Sequence, residues 1–315
     1  KLVGFMLLIS VNPAAFAQNI SSITTTFVNV EEKFGELIET QDLSDFEEFD
    51  RAGLLMKKTR YRADKTEAYT RTYEYELGKM ILDKEVGTEG EIRHNIIFTY
   101  DGDILKEKKN YRSSGVLEDK TVFNDAGKEL VRDLFSSDGS LRSKHKFHYD
   151  EQGKLKRHIE YDSKGQIYWD MKYEYSPDDS IVIEIKHNKT GALSSTVKST
   201  YDTSGNLTFW VWLEPDGSIF RSRVNKYNGK GLITYESQLY GDGTQQNRNE
   251  VEYLNDLKVE QRFYDKDEKP TSIHIFEYDE NNNIKSRFEY DCTYKFGERQ
   301  KNLSRKIIYK YEYYQ

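Results

Sequence analysis

From about Thr59 the chain alternates apolar and polar residues in short runs, with turn-forming residues between them. Ala68–Tyr75 and Met80–Val86 flank Leu77-Gly78-Lys79, a hairpin signal, and Glu91–Tyr100 follows. Alternation of period two marks a strand, and runs of about eight residues are too short for stable helices. The turns are explicit: Asp138-Gly139, Asp216-Gly217, Asn228-Gly229, and Asp-x-x-Gly at 150–153, 162–165 and 202–205. Asp and Asn bond their own backbone in turns, and Gly accepts positive φ. Pro177, Pro215 and Pro270 fall in these turns, as a continuous ladder requires.

An aromatic residue heads each unit: Tyr149, Tyr161, Tyr175, Tyr201 and Tyr227, with His187 and Leu213 standing in. From Phe123 to Tyr227 the steps alternate between 12 and 14 residues, a double unit of 26. Such self-similarity is informative about architecture and silent about activity. Short turns join antiparallel neighbours, so the spacing predicts an all-β fold: an elongated, curved antiparallel β-meander sheet. Because both steps are even, every strand is expected to keep its Tyr and aliphatic residues on one core face. That face holds Tyr149, Leu155, Ile159, Tyr161, Ile167, Trp169 and their equivalents. The wet face holds Lys156, His158, Glu160, Asp170 and Lys172. Odd steps between Tyr227 and Tyr264 predict a bulge or longer loop there.

The N-terminal part differs. Leu2–Val11 is apolar behind Lys1, and Ala15-Phe16-Ala17 places small residues before Gln18, so residues 1–17 read as a secretory signal peptide. In residues 18–58, Val30, Phe34, Leu37 and Ile38 recur at helical spacing, and Ser44-x-x-Glu47 resembles a capping box. This segment is expected to form a small helical cap, acidic on its outer side. Residues 59–315 form the antiparallel repeat domain.

Composition narrows the function classes. Of 315 residues, 36% are hydrophobic and 32% charged, yet Tyr and Phe are abundant (24 and 16), which favours a patterned sheet over disorder. A net charge of −7 argues against a nucleic-acid partner. The single cysteine, Cys292, excludes an internal disulfide. His145 and His148 fall on opposite faces, and His148 is expected to approach His158 across a hairpin without a third ligand. No metal, cofactor or catalytic residue is assigned.

The units Tyr149-Asp-Glu-Gln-Gly-Lys-Leu155, Tyr161-Asp-Ser-Lys-Gly-Gln-Ile167 and Tyr201-Asp-Thr-Ser-Gly-Asn-Leu207 resemble YD repeats, also called RHS repeats. More loosely, they resemble the hairpin repeats of MORN-like bacterial proteins. The resemblance covers residues 100–290 or so. In large RHS proteins such repeats build a curved β-sheet shell around a toxin domain. Here the units are far fewer and no terminal toxin or self-cleaving segment is recognisable, so that function is not carried over. The resemblance implies an exported bacterial β-meander of the scaffold kind and transfers no catalytic residue.

One surface group stands out. Trp210 and Trp212 share the wet face, and the Glu214–Ser218 turn is expected to bring Phe220 opposite Trp212. With Tyr168 these are the candidate partner-binding residues. Three readings stay open: a partner or glycan contact, burial under the N-terminal segment, or stabilisation of the sheet. The final run Lys306–Tyr314 is expected to be a last strand with an exposed edge. The functional expectation is a non-catalytic, exported envelope protein: periplasmic, outer-membrane-associated or extracellular. It would act as a scaffold or accessory subunit for another envelope protein and would not be integral to a membrane after signal cleavage. The alternative is a glycan-binding module.

Overall fold

The computed structural model describes residues 19–295 and 298–315; the expected signal peptide lies outside them. Twenty-two strands, numbered β1 to β22 in chain order, form one antiparallel sheet in which each pairs with the next. The sheet closes on itself. β1 (Ile20–Lys33) pairs β2 (Glu36–Phe49) on one side and β22 (Glu298–Tyr313) on the other. The molecule is therefore a barrel, which corrects the expected open, elongated sheet. Closure removes the edges that an open meander would leave unpaired. It also corrects the free last strand, because Arg305–Tyr313 is zipped to Ile20–Asn29. With strands about 4.8 Å apart and tilted by about 40°, a circular section would be about 44 Å across.

No helix occurs among the described residues, and the expected cap is instead β1, β2 and the start of β3 (Leu55–Tyr61). β-Branched residues explain the outcome: Ile20, Ile23, Thr24, Thr25, Thr26, Val28 and Val30 load the segment for an extended backbone. Phe34-Gly35 then turns the chain, both at positive φ (56° and 83°), in the middle of the residues spaced as a helical stripe.

Bulges are general rather than confined to residues 227–264. Tyr149 pairs Leu155, but the next partners are His148 and Arg157, so Lys156 is extra. By the same shift Tyr168 is extra beside Glu160, and Phe220 beside Trp212. One added residue per hairpin reverses the parity of the strand it enters. Leu155 therefore shares Tyr149's face, whereas Ile159 and Tyr161 lie with Lys146 and Lys144 on the other. The single core face expected from even spacing does not exist, and both faces mix apolar and charged residues.

Exposure tells the two faces apart. Most strand-interior residues that are exposed, such as Glu74, Ile97, Lys146, His148, Lys172, Phe209 and Ile308, fall on one face, with Asn247 and Asp291 as exceptions. Side chains fan out on the convex side of a closed wall and converge on the concave side, so this face is the outer one. The lumen face carries Tyr149, Tyr175, Trp210, Trp212 and Tyr227. Fully buried apolar side chains are few and occur on both faces: Ile159, Val211 and Ile273 outside, Val251, Phe276 and Ile307 inside.

Candidate functional site

Two aromatic patches line the lumen. In the first, Trp210 and Trp212 lie on β15 (Leu207–Leu213), and their direct partners on β16 (Ile219–Tyr227) are Arg223 and Arg221. Phe220 meets Trp212 as the spacing implied, with ring centroids 4.8 Å apart at 59°. Its place as the bulged residue leaves it 46% exposed. The Arg221 guanidinium sits 5.8 Å above the Phe220 ring. The indole Nε1 of Trp212 is buried without a hydrogen-bond partner. Residues 20–58 build wall strands and leave this patch uncovered.

The second patch was not anticipated. β10 (Leu141–Tyr149), β11 (Leu155–Asp162) and β12 (Ile167–Tyr175) bring His145, Phe147, His158, Glu160 and Trp169 onto one stretch of lumen wall. The hairpin bulge pairs His158 with Phe147 and leaves His148 outside, correcting the expected His148–His158 approach. His145 Nδ1 and His158 Nε2 are 3.1 Å apart. His158 stacks on Phe147 at 4.1 Å and meets Trp169 edge-on at 4.5 Å. Burial, then the neighbouring His145, pushes His158 down to about 3. Burial also lowers His145, partly offset by the charge of Glu160. The pair is therefore neutral at ordinary pH and behaves as aromatic surface.

Tyr168, 59% exposed at its bulge, does not join the tryptophans. It borders an open groove of about 630 Å³ with Leu134, Arg142, His145 and Glu160. The two patches are three strands apart, about 14 Å along the wall. No group of three or more His, Cys, Asp or Glu able to hold a metal ion occurs among the described residues. Two lumen carboxylates are held in bidentate ion pairs, Asp45 by Arg60 (2.6 and 2.7 Å) and Asp83 by Arg71 (2.5 and 2.5 Å).

No family model matches the chain, and no curated protein matches it. Among solved structures it is similar to a porin-like protein from Bacteroides uniformis, at 12% identity over 93% of this chain and 98% of that one, TM-score 0.30. A porin-like protein from Bacteroides vulgatus gives 11% identity with the same coverages and a TM-score of 0.27. The Photorhabdus luminescens Tc holotoxin pore gives 10% identity over 87% of this chain and 20% of that one, TM-score 0.33. At such scores the likeness carries no argument about what this chain does.

Proposed function

We propose that this protein is an exported, water-filled barrel of YD-type repeats in the bacterial envelope. It works by binding rather than catalysis, and its lumen receives an elongated ligand. The observation that carries this reading is the aromatic lumen wall, where Trp210, Trp212 and the half-exposed Phe220 lie beside Arg221 and Arg223 and a second aromatic patch lies three strands away. Flat rings flanked by hydrogen-bond donors suit a polyhydroxylated ring compound, whose apolar face stacks while its hydroxyls bond. An oligosaccharide is thus the ligand class the geometry favours.

Water on both sides of the wall is supported by the outer face, where charges occupy strand interiors. Arg157 pairs with Asp170 at 2.8 Å, Lys120 with Glu107 at 2.6 Å, and Arg262 with Glu252 at 2.8 Å. A lipid-facing wall would need an apolar band about 25 Å tall at that level. Native gels cast with soluble polysaccharides test the ligand. Wild-type protein should be retarded by at least one, and the Trp210→Ser/Trp212→Ser variant should run as in an empty gel with an unchanged melting curve. Equal mobility of the two proteins in every gel would refute the lumen platform, and an unfolded variant would make the pair structural.

A further inference from the structure

The seam that closes the barrel is incomplete at one end. Its ladder stops at Asn29 opposite Arg305. Both flanking hairpins continue, β1 with β2 to Lys33–Glu36 and β21 (Ile284–Lys295) with β22 to Lys295–Glu298. Two edges therefore face each other without a strand partner on that side, Val30–Lys33 and Glu298–Ser304. Between them lies a cleft of about 1180 Å³ that passes through the wall, lined by Val30, Glu32, Leu37, Lys301 and Leu303 from the outer face and by residues such as Asp291 and Asn302 from the lumen face. An ion pair from Lys306 to Glu39 closes its base. The β1 edge carries Glu31, paired with Lys33, and Glu32, and the β22 edge carries Arg299 and Lys301 beside Glu298, so one edge is net acidic and the other net basic. Leu37 is 59% exposed, and Phe34 at the hairpin tip is fully exposed in a left-handed conformation that bulky residues avoid.

We propose that this cleft is a docking site for an extended segment of another protein, which adds as a strand between β1 and β22. Unpaired backbone on both walls dictates that chemistry, because an inserted strand satisfies amides and carbonyls that a small molecule leaves open. The incoming segment spans about five to six residues. It places apolar side chains against Val30, Leu37 and Leu303, an acid toward Lys301 and a base toward Glu32. A second copy of this chain is a poor occupant, since its own open edges lie inside its own cleft. The site lies in the seam of the wall, away from both aromatic patches.

Phage-displayed random dodecapeptides selected on the whole mature protein supply the probe. Selected peptides should slow amide exchange at residues 30–33 and 298–304. They should bind at least tenfold more weakly to Lys301→Pro, which removes an edge amide, and to Leu303→Glu, which charges the apolar wall. Unchanged exchange protection across Ile23–Asn29 verifies that each variant keeps its seam. Absence of enriched peptides, protection elsewhere, or binding unmoved by both substitutions would overturn the proposal. So would protection of the two edges on raising the concentration of the protein alone, which would identify a second copy as the occupant.

Discussion

His158 shows how one side chain reads its surroundings. Packed against Phe147 and Trp169, it stays neutral down to a pH of about 3, because burial opposes its charging. In the unfolded chain the same ring titrates near 6.5. Below that value the unfolded state binds more protons than the folded one, so the stability linked to this group is full above about pH 6.5 and drains as pH falls toward about 3. His158→Phe, which keeps the stacking, should flatten the decline in melting temperature between pH 6.5 and 5, before most carboxylates titrate. Parallel curves for the two proteins would show that the ring is solvated and charged. The sequence placed His145 and His148 on opposite faces, and pairing keeps them there. It paired the wrong one with His158 because the extra Lys156 is invisible to a reading by parity alone. Placing a bulge after every Asp-x-x-Gly turn would have found the His145–His158 contact.

The strand pair, rather than the strand, is the repeating element, and tyrosine chemistry explains why the period is 26. Seven tyrosines at or next to the ends of even-numbered strands donate their hydroxyls to a carbonyl 20 residues earlier, at the start of the preceding strand; Tyr201 makes no such bond, and Phe123 stands in the same place on Leu117–Phe123. Tyr149 bonds Glu129, Tyr175 bonds Leu155, Tyr227 bonds Leu207 and Tyr278 bonds Lys258, at 2.8–2.9 Å. Tyr75, Tyr100 and Tyr253 do the same at 3.0–3.1 Å. Each bond lands beside a bulge, where the ladder is interrupted and a carbonyl lacks its regular partner. Odd-numbered strands end on the other rim and the other face, where Phe135, His187 and Leu213 are tolerated as heads. Tyr175→Phe should therefore lower stability by about 1 kcal/mol, whereas Tyr161→Phe should be close to neutral. Urea midpoints at constant m would measure the difference, and equal costs would leave the latch without energetic weight. The sequence made the tyrosine spacing plain but not its two classes, since nothing in Tyr-Asp-x-x-Gly distinguishes the rims.

At the scale of the whole molecule, closure depends on residues 20–49, the stretch that local pattern misread. Val30, Phe34, Leu37 and Ile38 fit a helix as well as a strand, so β1 was lost and with it the partner of β22. The need for some curvature was legible, because a long twisted sheet rarely stays open, but only pairing between the two ends of the chain makes a barrel. A barrel invites comparison with membrane channels, and the charges on the outer wall are the physical argument for the proposed water on both sides. Exposing Lys146, Lys172 or Arg157 to hydrocarbon would cost about 2–4 kcal/mol each near the bilayer midplane; Lys144 and Lys198 add further outward charges, although the strands carrying Ile183 and Ile185 and carrying Phe209 and Val211 turn only uncharged residues and His187 outward. On that reading, residues 18–315 should refold and remain monodisperse without detergent, stay at the bottom of a liposome flotation gradient, and produce no conductance steps in a planar bilayer. Co-flotation with vesicles that resists alkaline carbonate would overturn the water-on-both-sides reading. It would require the outer ion pairs to be rearranged or shielded by other chains, leaving the lumen, whose aromatic patches do not depend on what lies outside the wall, as the part of the account still standing.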